Sequence, residues 1–168
     1  MTSRLENLVG ALAMRISDEI EDLGPRILNG SVAAPASALT TIGLHPGISI
    51  RWLANGLTLS HPGTVRLVDR LVQAGLVERR AAEKDGRAVS LWLTKKGNDV
   101  CQSLLERRGH SLAGLLKSLT DKERAQLERI AVKLLTASYA GEAMAVRTCR
   151  WCDGEVCTDC PIDAAMEA

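Results

Sequence analysis

Apolar residues recur at helical spacing in a short segment near the middle of the chain. Within residues 49–57 they lie three or four positions apart, as on the core-facing side of a helix, at Ile50, Leu53, Ala54 and Leu57. Gly56 interrupts the pattern, so the segment predicts a short helix that ends in a tight turn. Ala54 is small enough for a second helix to cross close beside it.

A second helix is predicted directly after that turn. Ser60 is a favourable N-cap, Pro62 lies in the first turn where its missing N–H costs nothing, and Gly75 is a natural C′ residue. The apolar side of this helix consists of Val65, Val68, Leu71 and Val72. The polar side consists of His61, Thr64, Arg66 and Arg70. The order predicts a helix-turn-helix that reads base edges, although an ordinary solvated amphipathic helix has the same pattern.

A β-hairpin with a charged tip is predicted after the two helices. Strand-like residues 76–77 and 89–93 flank a charged segment, and Asp85-Gly86 within that segment is a strong turn signal. Eight basic and four acidic residues lie between positions 66 and 96, whereas the net charge of the whole chain is only +1. Cationic charge is therefore concentrated where a nucleic-acid backbone would lie. Together these parts predict a winged helix-turn-helix.

Two stretches of this unit resemble the MarR family of bacterial transcription regulators. They are residues 67–79 and residues 85–97, where an Asp-x-Arg at the hairpin tip is followed by Leu-Thr-x-x-Gly at the start of the next helix. In order of elements the resemblance covers residues 1–140. It implies an obligate homodimer on a pseudo-palindromic double-stranded DNA operator. It also implies a repressor that a small-molecule, metal or redox effector releases from DNA.

The resemblance further implies which side chains contact DNA. The polar side of the second helix would enter the major groove, and Arg87 at the hairpin tip would enter the minor groove. The implied DNA contacts are Ser60, His61, Gly63, Thr64, Arg66, Arg70, Asp85 and Arg87. Many relatives carry Ser or Thr where this chain has Val65, so that hydroxyl contact is not expected here.

Long amphipathic helices are predicted on both sides of the winged unit. Residues 3–23 carry an apolar stripe that is wider than one small domain buries, and helices over 95–119 and 120–139 follow the hairpin. These helices favour a dimerisation domain, so the predicted fold class is mainly α with a small β-hairpin wing. The predicted segments are an N-terminal dimerisation helix (1–26), the winged helix-turn-helix (37–94), dimerisation helices (95–140) and a cysteine-rich tail (141–168).

The helical pattern stops after Gly141, and four of the five cysteines follow within a dozen positions. Two C-x2-C pairs, separated by four residues, consist of Cys149, Cys152, Cys157 and Cys160. Each C-x2-C turn aims two sulfur atoms at one point, so two turns can complete a tetrahedral site, for which zinc is the leading expectation. A dithiol or disulfide pair, an iron–sulfur cluster and an inert tail stay open as alternatives.

The remaining metal-ligating residue types give weaker signals. Cys101 lies early in the helix after the hairpin, where a small hydrophobic role is expected and a redox-sensing thiol is the alternative. His45 and His110 have no convincing metal partner in the sequence and are expected on the surface or in loops.

Composition argues against several other classes of protein. With three Trp, one Tyr and no Phe, the chain lacks the aromatic side chains on which single-strand binders stack bases. Apolar runs fall short of the roughly 20 residues that span a bilayer, and no signal-like segment is visible, so a cytoplasmic protein without membrane contact is expected. No catalytic constellation is visible, so an enzyme is not expected. The alternative function is a thiol redox protein using the C-x2-C pairs, although the strand-then-helix setting of such motifs is missing.

Overall fold

The structure is a computed structural model that describes residues 3–23, 33–82, 85–157 and 159–166. Helices make up most of the described residues, and three strands form a small antiparallel sheet. The predicted fold class, mainly α with a β-hairpin wing, is therefore confirmed. Within these ranges, no helix combines the length and the apolar character that crossing a membrane requires.

In the described part of the chain, two long helices precede the winged unit. Helix α1 (Arg4–Glu21) begins with a capping box, in which Ser3 and Glu6 accept each other's backbone N–H groups. Helix α2 (Ala33–Leu44) is buried throughout residues 35–42. Because a helix that is buried on every side can only lie inside a core, α2 forms the centre of this fold.

Both helices of the predicted helix-turn-helix are present. They are α3 (Ile50–Leu57) and α4 (His61–Gln73). Ser49 caps α3 and Ser60 caps α4, each through a side-chain oxygen that accepts a backbone N–H. Gly75 follows α4 with a φ of +69°, the left-handed conformation that favours glycine after a helix.

The wing belongs to a three-stranded antiparallel sheet in the order β1–β3–β2. Strands β2 (Val77–Ala82) and β3 (Asp85–Leu93) form the predicted hairpin, and β1 (Ile48–Ser49) pairs with the other edge of β3. β1 was not predicted, because two residues are too few to show an alternating pattern. The predicted turn at Asp85-Gly86 is misplaced, since β3 already begins there opposite Ala82, and residues 83–84 lie outside the described part.

Two long helices follow the wing, as predicted. α5 (Lys95–Leu116) begins after Thr94, whose hydroxyl accepts the Gly97 N–H at 3.0 Å. α6 (Asp121–Ala137) begins with a capping box formed by Thr120 and Glu123.

The tail is folded, so the prediction that the helical pattern stops before it is wrong. α7 (Glu142–Cys149) and α8 (Pro161–Met166) both lie in this segment. Trp151 and Ile162 are buried, and the Trp151 indole N–H donates to the Ser37 hydroxyl of α2 at 2.9 Å. Two helices this short carry too few apolar residues for a detectable period, which is why the sequence pattern missed them.

The core lies between α2, the winged unit and the start of α5. Its fully buried apolar side chains come from all of these elements and include Leu39, Ile42, Leu53, Leu67, Val68, Leu91 and Leu104. α5 lies close against the residue before β2 at Gly97, where a Cβ atom would lie 1.9 Å from the Leu76 carbonyl oxygen. A side chain at position 97 therefore collides with backbone, which cannot rotate away.

Gly97→Ala should destabilise the fold by about 1–3 kcal/mol, because the added methyl group forces this backbone apart. The matched control is Gly109→Ala in the same helix, where a Cβ atom would meet nothing within 4 Å. Alanine there should stabilise the helix by about 1 kcal/mol. Urea titration gives the free energy of unfolding for both variants, and equal effects would contradict the close approach at Gly97.

Candidate nucleic-acid interface and cysteine pocket

The first turns of α4 present an exposed polar surface. Ser60, His61, Arg66 and Arg70 are exposed, and Gly63 is partly exposed. Neither of the two arginines forms an ion pair with any of the residues that the structure describes. Their guanidinium groups are therefore free to bind phosphate or the edges of bases.

Thr64 does not belong to this surface, and its prediction as a DNA contact is wrong. Thr64 is 0% exposed, and its hydroxyl donates to the Ser60 carbonyl oxygen at 3.1 Å. It lies three and four positions before Leu67 and Val68, so it shares the core-facing side of the helix. Its polar side chain suggested an exposed position, but the hydrogen bond within α4 allows the hydroxyl to be buried.

Two arginines at the base of the wing are held by neighbours. Arg79 donates to Asp69 at 2.8 Å, which joins β2 to α4. Arg80 donates to Glu78, and its guanidinium group lies 4.6 Å from the centroid of the Trp92 ring. Exposed ion pairs of this kind are weak, so these cations still contribute positive potential beside α4.

The last two predicted DNA contacts, Asp85 and Arg87, lie at the tip of the wing. Their backbone belongs to β3, but their side chains lie outside the described part of the structure. Their contacts with DNA stay a prediction.

Two helices carry apolar side chains that the chain leaves uncovered. Neither α1 nor α6 has a buried residue. The exposed apolar residues of α1 are Leu5, Leu8, Val9, Leu12 and Met14. Those of α6 are Leu127, Ile130, Val132 and Leu134. Contiguous apolar surface of this kind marks a site of interaction with another protein surface.

The four tail cysteines line one pocket of about 380 Å³, next to the end of α2. Its other polar lining residues are His45, Glu142 and Asp163. The structure therefore brings together the four cysteines that the sequence pairs as C-x2-C motifs. Among the described residues, no three Cys, His, Asp or Glu side chains are grouped closely enough to hold a metal ion as they stand.

Within the pocket each C-x2-C motif is a hydrogen-bonded pair of thiols. Cys149 bonds with Cys152, and Cys157 bonds with Cys160. The hydrogen bond from Cys149 lowers the pKa of Cys152 to about 6, and the nearby charge of Arg108 acts in the same direction. The same bond raises the pKa of Cys149.

Cys101 does not line this pocket. It is buried, and a Cβ atom at Gly43 would lie 2.9 Å from its sulfur. Burial raises the pKa of Cys101 to about 11, which leaves the thiol protonated and unreactive. The structure favours the small hydrophobic role and argues against the redox alternative.

His45 is a pocket residue that the sequence reasoning missed. Its ring meets the Trp52 ring edge-on, with the centroids 4.9 Å apart, and burial lowers its pKa although Asp163 acts in the opposite direction. His45 and Asp163 are far apart in the chain, and no motif spacing connects them. Only the folding of the tail against the end of α2 brings them together.

A family model described as MarR family matches residues 33–88, which contain α2, the helix-turn-helix and most of the wing. The transcriptional repressor MprA of Escherichia coli is 34% identical over 84 residues, which are 50% of this chain and 48% of MprA. The HTH-type transcriptional regulator BilQ of Clostridium symbiosum is 37% identical over 98 residues, which are 55% of this chain and 65% of BilQ. The crystal structure of wild-type apo MarR from Escherichia coli superposes with a TM-score of 0.66 at 26% identity. The superposition covers 80% of this chain and 99% of the MarR chain.

Residues 33–88 of the chain form a MarR-family domain. The similarity spans about half the length of MprA. MprA and BilQ are named as transcriptional regulators rather than enzymes, in agreement with the prediction from sequence. The family model ends at residue 88, so the cysteine tail lies outside the part of the chain that it matches.

Proposed function

We propose that this MarR-family protein is a transcriptional repressor that binds operator DNA as a homodimer. The observation that carries the proposal is the exposed polar side of α4, where Arg66 and Arg70 have no ion-pair partner among the described residues. The similarity to MprA, a named repressor, supports the same function. A thiol redox protein is not favoured, since the relatives are regulators. Because DNA is the proposed ligand, the cytoplasm is the proposed location.

In the proposed complex, the first turns of α4 lie in the major groove. His61 and Arg66 reach base edges, and arginine suits the two acceptors of guanine. Arg70, one turn further along the exposed side, binds phosphate. Ser60 and the positive end of the helix dipole favour a second phosphate there, and Gly63 leaves room for the backbone of the DNA.

The wing completes the contact beside α4. The resemblance to the family assigns Arg87, two positions after Asp85, to the minor groove, where negative potential attracts arginine. The ion pair between Arg79 and Asp69 ties β2 to α4. The wing and the recognition helix therefore approach the DNA as one unit.

The proposed dimer buries the exposed apolar sides of α1 and α6 between two copies. Two recognition helices would then lie about one DNA turn apart, roughly 34–36 Å, and a pseudo-palindromic operator would match the two-fold axis. An effector that binds the dimer better at one spacing of the two helices than at another would change the affinity of the dimer for DNA. A small molecule or a redox signal can act in this way.

Arg66→Ala should weaken binding to the preferred DNA by about 1–3 kcal/mol and remove the preference at one base pair of each half-site. The DNA is first selected from a random pool by the parent protein. Affinity is then measured by fluorescence anisotropy at several salt concentrations. Thr64→Val is the matched control, because Thr64 lies on the buried side of the same helix and should leave base preference unchanged. If Thr64→Val changes the preference and Arg66→Ala does not, the assigned orientation of α4 is wrong.

Ile130→Asp should convert the dimer into a folded monomer, because Ile130 is 54% exposed in the single chain and only a partner would bury it. Sedimentation equilibrium gives the oligomeric state, and circular dichroism confirms that the helices are retained. Val156→Asp is the control, since Val156 is an 80% exposed apolar residue of the tail, outside the proposed interface. A parent protein that is monomeric at all concentrations would contradict the proposed dimer.

A further inference from the structure

The tail brings four thiols of two separate motifs to one pocket. Cys149 ends α7, and the Cys152 N–H donates to its carbonyl oxygen at 2.7 Å, so these two residues close a tight turn. Cys157 closes a second turn, in which its N–H donates to the Asp153 carbonyl oxygen at 3.1 Å, and Cys160 directly precedes α8. All four line the same pocket, and within each motif the two thiols are in hydrogen-bond contact.

The chemistry of this set of donors selects a soft cation. Four thiolates match tetrahedral zinc, whereas magnesium and calcium require oxygen ligands. A disulfide would use the sulfur atoms only two at a time and would not require the two motifs to share one pocket. A single ion bound by all four sulfur atoms explains why the chain has two C-x2-C motifs and why both motifs line one pocket.

We propose that Cys149, Cys152, Cys157 and Cys160 bind one zinc ion per chain as a four-sulfur site. Because no three ligating side chains of the described residues are grouped for an ion as they stand, binding must draw the two pairs together. Cys157 is exposed, so its thiol can move without loss of core packing. His45 at the same pocket can donate a ring N–H to a thiolate sulfur, as residues near metal ligands commonly do.

The site would hold the tail against the winged unit. In α7, Val146 packs so closely on α3 that a Cβ atom at Gly56 would lie 2.3 Å from its Cγ1. Glu142 accepts the Trp52 indole N–H at 2.7 Å, which adds a second contact between α7 and α3. Zinc bound to Cys149 and Cys160 would link α7 to α8, so that one ion stabilises both helices on the helix-turn-helix. This inference does not depend on DNA binding.

The test is the metal content of the full-length protein, purified anaerobically without chelator. Inductively coupled plasma mass spectrometry should find about one zinc per chain in the parent, with no visible absorbance. Cys157→Ser should lose most of the zinc, and because Cys157 is exposed this variant should keep the fold. Cys101→Ala removes a thiol that does not line this pocket and should retain the zinc of the parent.

Three results would overturn the proposal. They are a metal-free parent with four reactive tail thiols, a parent with tail disulfides shown by intact mass, and a coloured parent that contains iron. Cobalt exchanged into the parent gives a second readout, because a four-sulfur site produces the intense visible bands of a tetrahedral cobalt thiolate and Cys157→Ser should lack them.

The thermal midpoint reports the link between the ion and the fold. A chelator should lower the midpoint of the parent and leave that of Cys157→Ser unchanged, since binding to the folded state alone stabilises it. A parent midpoint that does not respond, although zinc has been removed, would overturn the stabilising role. A zinc-free chain that still binds its DNA refutes only this inference, and a zinc-bound chain without DNA affinity refutes only the proposed function.

Discussion

The burial of α2 is the packing interaction on which the other parts of the fold depend. Residues 35–42 are buried on all sides, and the helix contacts α3, α4, α5 and β3. The hydroxyl groups of Thr40 and Thr41 donate to carbonyl oxygens within α2, so their burial leaves no hydroxyl unsatisfied. Since Trp151 of the tail also bonds to Ser37, the helix-turn-helix, the wing and the tail share one core.

This shared core connects three candidate functional surfaces. They are the polar side of α4, the apolar sides of α1 and α6, and the cysteine pocket. The start of α5 is tied to the end of α4, because Thr94 donates to the Gly75 carbonyl oxygen at 2.7 Å and Lys96 donates to that of Ala74 at 2.9 Å. Further along α5, Ser111 donates to Glu19 of α1 at 2.6 Å. A change in how α1 and α6 pack in the proposed dimer would therefore move α4. The tail is attached to α3, so it would move with the same unit.

The winged unit could be predicted because its signals are local. The cap at Ser60 and the apolar period of α4 act over a few residues, and the structure has them where the sequence predicts them. Thr64 was misassigned because residue type does not reveal a hydrogen bond within the helix that satisfies a buried hydroxyl. The helices of the tail and the pocket residue His45 depend on contacts between distant segments, for which one sequence has no pattern.

The central claim is that two copies of α4 read neighbouring major grooves of one DNA duplex. Hydroxyl-radical footprinting on DNA selected by the parent protein tests it most directly. The account predicts two protected patches about 10–10.5 base pairs apart, centre to centre, arranged symmetrically about a pseudo-palindrome. One protected patch per bound complex, or protection that is uniform over every sequence tried, would contradict it.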